Sequence, residues 1–158
     1  MFNNFLAIYL SFALGFAYFT QSPLVTSNET TSEPYVIIFD YGGRVDQYAF
    51  DVIRRATLRQ PIIIEEECYS ACTLYLGSPY TCTYLDTKFY FHGPSAVNGI
   101  ASEEGLNQAR ATMALFYKGG LRQWFFDNAA MLHGKDVKML TGEQVALMGA
   151  VKICDPEI

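Results

Sequence analysis

Apolar and polar positions in residues 35–64 follow the pattern of a strand, a helix and a second strand. Residues 35–39 form a β-branched and aromatic run that ends in a glycine turn, which predicts a buried strand. In residues 45–56 apolar side chains recur at helical spacing, so we expect one apolar stripe to face a sheet while Arg54 and Arg55 face water. Residues 62–64 predict the next strand. A strand–helix–strand unit of this length predicts a parallel pair with a right-handed connection, and so an α/β fold.

The rest of the chain continues this alternation. Residues 70–76 are apolar nearly all round, which predicts a helix buried in the centre of the domain. Residues 88–91 predict a third strand, and residues 102–132 are helical in pattern with Gly119-Gly120 as a break, which predicts two helices. A short helix and a strand within residues 141–153 close the domain.

The N-terminal part of the chain differs in composition from the domain. Residues 1–20 carry no charge and contain an apolar run at 5–19, which is typical of a signal peptide or of an uncleaved membrane anchor. Residues 21–34, rich in Ser and Thr, predict a linker, so the folded domain is expected at 35–158. The domain is therefore expected outside the cytoplasm, periplasmic or secreted, and in contact with the membrane if the segment is uncleaved.

Charge and cysteine content narrow the classes of function. A net charge of -5 without any basic run disfavours a nucleic-acid partner. Four cysteines in an exported domain permit disulfides, and the sequence leaves three full pairings open. Cysteines four apart on one helix are expected to bridge elsewhere rather than to each other. A zinc site is the alternative, but the spacing is poor for it, and we expect neither metal nor cofactor. The four are Cys68, Cys72, Cys82 and Cys154.

Two residues that follow predicted strands could act as a nucleophile and its base. Ser70 comes where a strand runs into the buried helix, and His92 follows the next strand. Parallel strands end at one edge of a sheet, so both side chains are expected there. The N–H groups of Gly43 and Ala71 are candidate oxyanion donors. A serine that only caps its helix, and a histidine bonded only for structure, are the alternatives.

In this order the segments Asp40-Tyr41-Gly42-Gly43, Cys68-Tyr69-Ser70-Ala71-Cys72 and Phe91-His92-Gly93-Pro94 resemble the Clp protease proteolytic subunit. Residues 139–151 resemble that family's C-terminal element, so the resemblance spans about residues 35–153. It implies the Clp/crotonase fold, a spiral of repeated ββα and βαβ units with a mainly parallel sheet and a long C-terminal helical segment.

The same resemblance implies a serine peptidase. Ser70 would attack a peptide carbonyl, His92 would take and return the proton, and Asp136 would orient the imidazole. Peptides or proteins would be the substrates. A homo-oligomer would form through residues 102–132, with Trp124, Phe125 and Phe126 as candidate contacts.

Two other classes of function stay open. Asp136 stands one position away from the family's aspartate, and the serine lies between two cysteines, which favours a non-catalytic binding or assembly protein that keeps the fold. The third class is thiol redox chemistry at Cys68 and Cys72, although their spacing is not that of thioredoxin-like motifs.

Overall fold

The computed structural model describes residues 32–96 and 102–155, so the predicted signal peptide or anchor and most of the predicted linker lie outside the described residues. Among the described residues no helix is long and apolar enough to span a bilayer. The described elements, in chain order, are β1 (Tyr35–Asp40), α1 (Val45–Thr57), β2 (Ile62–Tyr69), a 3₁₀ helix (Ser70–Gly77), β3 (Thr81–Thr83), β4 (Lys88–Phe91), α2 (Glu103–Leu115), α3 (Gly120–Asn128), β5 (Lys138–Thr141), α4 (Gly142–Leu147) and β6 (Lys152–Ile153).

The domain is a mixed α/β fold built on one mainly parallel sheet. Strands β1, β3 and β4 all pair in parallel with β2, and β6 pairs in parallel with β3. Only β5, among the described strands, is antiparallel, against β4. The predicted parallel β1–α1–β2 unit is therefore confirmed. The sequence prediction missed β3 and β5, because these short segments carry polar side chains and lack the continuous apolar or aromatic run that marked the other strands.

Strand β2 organises the sheet because three strands pair with it. One edge pairs with β1 along most of its length, while the other edge pairs with β3 at residues 62–64 and with β4 at residues 67–69. Between these two stretches the Thr87 hydroxyl binds the carbonyls of Ile64 and Glu65 at 3.1 and 2.6 Å. The fully buried threonine thus satisfies backbone acceptors where the sheet divides.

Helix α1 buries a narrower stripe than its sequence pattern predicts. Ala49 and Val52 are buried, but Ile53 is 58% exposed. Arg55, expected to face water, instead lies over the Tyr35 ring at 3.3 Å from its centroid and is paired with Asp51. The prediction was wrong for these two side chains because periodicity gives the direction of a helix face but not its width.

Asp51 is the main electrostatic contact of this helix. Burial raises the pKa of its carboxyl, but hydrogen bonds from Tyr75, Arg54 and Arg55 outweigh burial and lower the pKa to about 2. The unfolded value is near 3.8, so folding favours the ionised form, and the stability gained is fully present above that value and lost as the pH falls toward 2.

Asp51→Asn is therefore expected to make the free energy of unfolding less dependent on pH between about 4 and 2. Urea denaturation of both proteins across this range measures the two slopes. Equal slopes would show that Asp51 contributes nothing to the acid sensitivity of the domain.

The 3₁₀ helix Ser70–Gly77 runs through the middle of the domain, as its apolar sequence predicts. Its residues 71–76 are all buried. The Thr73 hydroxyl lies 2.6 Å from the Ser70 carbonyl and 2.7 Å from the hydroxyl of Tyr117, which is also fully buried. Burial raises the pKa of Tyr117, so this hydroxyl stays neutral. The polar pair fixes the start of the helix inside an apolar core.

Two helices, α2 and α3, occupy the segment predicted to be helical, and the predicted break at Gly119-Gly120 is present. Phe125 is fully buried and Trp124 packs against Phe91, so neither is the freely exposed contact expected from the sequence. Phe126 is 45% exposed. An oligomer through this segment stays a prediction.

The cysteines form two disulfides, Cys68–Cys72 and Cys82–Cys154, which is one of the three pairings that the sequence left open. The expectation that Cys68 and Cys72 bridge elsewhere was wrong, because Cys68 still belongs to β2 and only Cys72 is helical. The described chain has no free thiol, which removes the cysteine zinc site. Two disulfides are typical of an oxidising, extracytoplasmic environment.

Candidate functional site

The carboxyl ends of β1, β2 and β4 bring the predicted chemical groups to one edge of the sheet. Asp40 is in register with Cys68, and Tyr69 is in register with Tyr90, so the segments after these strands start at similar heights. They line an open cleft of 890 Å³. Its walls include Gly43, Ser70 and His92 from the strand ends, and Leu106, Ala109 and Thr112 from α2. The predicted convergence of Ser70 and His92 at this edge is therefore observed.

Ser70 has a backbone conformation that side chains other than glycine rarely adopt. Its φ is +54°, at the residue where β2 ends and the 3₁₀ helix begins. A non-glycine residue in the left-handed region costs of order 1–3 kcal/mol and persists only where its surroundings enforce it. Such residues concentrate at functional sites. A merely capping serine is also disfavoured, because the helix N-cap is Tyr69 and no side chain caps it.

The glycine turn after β1 packs directly against Ser70. A Cβ on Gly42 would lie 2.6 Å from the Tyr69 carbonyl oxygen and 2.9 Å from the Ser70 Cβ, and the φ of Gly42 is +77°. Both the space and the backbone conformation therefore require glycine here. The sequence prediction named Gly43 in this turn but missed the packing role of Gly42.

Asp40 holds the turn in place. Its Oδ1 accepts hydrogen bonds from the Gly42 N–H at 2.8 Å and from the Tyr48 hydroxyl at 2.6 Å. Burial and the hydrogen bond to Asp40 raise the pKa of Tyr48, which keeps the phenol protonated and donating. A carboxylate thus ties α1 and the turn to the end of β1.

The predicted oxyanion donors lie close to Ser70. Ala71 follows the serine in the first turn of the 3₁₀ helix, where N–H groups have no acceptor within the helix. A Cβ on Gly42 would lie 3.0 Å from this nitrogen. Within the described residues, no hydrogen bond uses the Gly43 N–H, and Gly43 lines the cleft. The Gly43 N–H is therefore available to a ligand oxygen. Ala71 is fully buried and is not among the residues that line the cleft, so its role as a second donor stays a prediction.

His92 is oriented by the backbone. Its Nδ1 lies 2.6 Å from the Gly93 carbonyl oxygen. A carbonyl can only accept, so Nδ1 carries the proton and donates, and the lone pair of the neutral imidazole is on Nε2. That is the tautomer that a general base for serine requires.

Gly93 is itself fixed by the segment after α3. Its N–H donates to the Leu132 carbonyl at 3.0 Å, and a Cβ on Gly93 would overlap the Ala130 oxygen. Arg110, 4% exposed on α2, donates from Nε to the same Ala130 oxygen at 3.1 Å. The sequence prediction missed this arginine, since no pattern separates a buried arginine in an amphipathic helix from an exposed one.

Asp136 is not brought to the histidine. It is exposed in the segment between α3 and β5, where its N–H donates to the His133 carbonyl at 3.2 Å. No described hydrogen bond joins Asp136 to His92, whose Nδ1 is already bonded to Gly93. The orienting role expected from the family resemblance is therefore not seen in this arrangement. Ser70 and His92 share the cleft, but among the described contacts no hydrogen bond joins them directly.

The described part of the chain holds no group of three His, Cys, Asp or Glu side chains able to bind a metal ion.

Comparison with known proteins gives the fold and no more. No family model matches the chain, and no curated protein matches it. Among solved structures, 72 chains match. One, a crystal structure of a protein described only as an enzyme, has 9% sequence identity, covers 80% of this chain and 81% of its own, and gives a TM-score of 0.50. This likeness shows an α/β fold alone.

Proposed function

We propose that this protein is a serine hydrolase of the Clp/crotonase type that cleaves peptide bonds outside the cytoplasm. The observation that carries the proposal is the left-handed backbone of Ser70 at a strand end, in one cleft with a histidine whose Nδ1 is bonded to a carbonyl, which leaves the imidazole lone pair on Nε2. The order of the glycine turn, serine and histidine motifs supports the Clp/crotonase spiral as the finer description of the fold.

The reaction would proceed in two acyl-transfer steps. The Ser70 Oγ attacks the carbonyl carbon while His92 Nε2 takes its proton, and the N–H groups of Gly43 and Ala71 bind the oxyanion. The C–N bond then breaks as the imidazolium gives this proton to the leaving amine. Water next attacks the acyl ester with His92 again as base, which releases the acid and restores the serine. The hydrogen bond between Ser70 and His92 would form when substrate binds, as catalytic hydrogen bonds often do.

The Gly93 carbonyl takes the orienting place that an aspartate has in other serine hydrolases. It accepts from Nδ1–H and so fixes the imidazole tautomer and plane. A neutral acceptor stabilises the imidazolium less than a carboxylate does. Ser70 and His92 would therefore act as a catalytic dyad with a modest rate of hydrolysis.

The cleft and the disulfides support an extracytoplasmic peptidase with substrates of small size. The cleft is open along α2 and contains both apolar side chains and the Arg44–Asp46 ion pair, which lies in water. Extended peptide segments fit such a cleft. A periplasmic or secreted location, with the N-terminal segment as signal or anchor, completes the proposal.

A non-catalytic binding protein is the second candidate function. It is favoured by the absence, among the described contacts, of a direct hydrogen bond between Ser70 and His92. Ser70 labelling separates the two candidates.

The full-length chain is expected to react with a fluorophosphonate probe. The Ser70 oxygen attacks the phosphorus of the probe, and fluoride leaves. Labelling should be lost in Ser70→Ala and kept in Ser95→Ala, which removes another hydroxyl that lines the same cleft. In-gel fluorescence measures both. A folded wild-type protein that stays unlabelled would favour the binding protein.

A further inference from the structure

We propose that the Cys68–Cys72 disulfide is a positioning element that holds Ser70 in its left-handed conformation and so keeps its hydroxyl in the cleft. This inference rests on the proposed function, because it assigns a role in the same site. The disulfide then contributes to the catalytic geometry and not only to the stability of the domain.

The disulfide closes a ring of which Ser70 is the middle residue. The Cα atoms of Cys68 and Cys72 are 5.4 Å apart. Four residue steps of extended strand would separate them by about 13 Å. The chain must therefore turn between the two cysteines instead of running on as a strand, and the positive φ of Ser70 occurs at the centre of this turn. The disulfide excludes the extended alternative in which β2 runs on past Tyr69.

Both ends of this ring are anchored in rigid parts of the fold. Cys68 lies in β2, in register with Asp40 on one side and Phe89 on the other. Cys72 lies in the buried 3₁₀ helix. The disulfide thus joins the last hydrogen-bonded part of the strand to the first turn of the helix, and Ser70 has little freedom between them.

Two weaker contacts act on the same residue. The Thr73 hydroxyl donates to the Ser70 carbonyl at 2.6 Å, and Gly42 packs against the Ser70 Cβ. These contacts restrain Ser70 from the helix side and from the turn. Neither prevents the segment from straightening as a covalent bond does, since one hydrogen bond contributes only about 1 kcal/mol.

Burial disfavours a thiol-exchange role for this disulfide. Both Cys68 and Cys72 are fully buried, so an attacking thiolate cannot reach either sulfur in the folded state. The bond between Cys68 and Cys72 by itself would be compatible with the redox function considered for these cysteines. Thiol–disulfide exchange also requires that a thiolate can reach one of the two sulfur atoms. A positioning role is compatible with burial, because two cysteines held rigidly by the core fix the position of Ser70 between them.

The second disulfide supplies a matched control within the same chain. Cys82–Cys154 joins β3 to the residue after β6, has a sequence separation of 72 and is absent from the cleft lining. It closes a far longer loop than Cys68–Cys72, so its loss should lower the thermal midpoint more. Stability and reactivity are therefore expected to respond in opposite order to the two deletions.

The experiment compares C68A/C72A with C82A/C154A in the full-length chain. Fluorophosphonate labelling rates and thermal midpoints are measured for both pairs and the wild type at a temperature where all are folded. The expected result is a labelling rate lower by about 10²-fold in C68A/C72A, as for a reacting group misplaced by about 1 Å, and a wild-type rate in C82A/C154A despite its lower midpoint. C68V/C72A, which keeps more buried volume, repeats the test if C68A/C72A does not fold.

A wild-type labelling rate in the folded Cys68 and Cys72 variants would overturn the proposal, and so would equal slowing of both pairs. If the wild type itself is not labelled, the proposed function fails and the backbone ¹³C shifts of Ser70 decide the positioning role separately. Shifts that leave the left-handed range in C68A/C72A support that role, while unchanged shifts overturn it.

Discussion

His92→Ala is expected to slow fluorophosphonate labelling of Ser70 by about 10²–10⁴-fold, which is the usual contribution of a general base. Asp136→Asn is expected to leave the rate unchanged. The two results differ because Nδ1 of His92 donates to the Gly93 carbonyl, while Asp136 is exposed and bonded to the histidine by no described contact. Second-order labelling rates at neutral pH measure both effects.

His133→Ala is the control for His92, because His133 is exposed and lies outside the cleft lining. It should label at the wild-type rate. Equal losses in Asp136→Asn and His92→Ala would contradict the dyad and show that the segment carrying Asp136 moves to complete a triad.

Gly42→Ala is expected to destabilise the domain by about 2–5 kcal/mol and to abolish labelling. A left-handed alanine costs about 1–2 kcal/mol, and forcing an extra methyl into packed surroundings costs about 1–3 kcal/mol more. The methyl group would meet the Tyr69 oxygen at 2.6 Å and the Ser70 Cβ at 2.9 Å. The strain is thus placed on the reacting residue itself. Urea denaturation and labelling of the remaining folded protein measure the two effects.

Gly134→Ala separates backbone strain from crowding. Gly134 has a similar φ, +64°, but a Cβ there would meet nothing within 4 Å. Gly134→Ala should therefore destabilise the domain only by the free energy of a left-handed alanine backbone, about 1–2 kcal/mol, and should leave labelling unchanged. Equal destabilisation by the two substitutions would show that Gly42 matters for its φ alone.

Much of the site's placement could be predicted from the sequence because it follows from sheet topology. The pattern of residues 35–64 gives a parallel pair, and parallel strands end at one edge. Ser70 and His92 each directly follow a strand, so their meeting in one cleft required no knowledge of side-chain contacts. The observed cleft confirms this placement, while their catalytic roles stay a proposal.

The contacts that hold Ser70 and His92 in place could not be predicted, because they depend on backbone conformation and on the exact ends of the strands. Neither is visible in the pattern of side chains along the sequence. The left-handed backbone of Ser70 has no signature in a serine between apolar neighbours. The Cys68–Cys72 bond depends on where the strand ends, and a shift of that boundary changes which pairing is possible. The carbonyl of Gly93 has no side chain to signal its role, whereas Asp136 was expected from the family resemblance alone.

Tandem mass spectrometry of the wild-type protein after fluorophosphonate treatment identifies the residue that carries the probe. We expect one adduct, on Ser70, in the peptide that also contains the Cys68–Cys72 disulfide. An adduct on Ser95 or Ser102, or a folded protein without any adduct, would contradict this expectation.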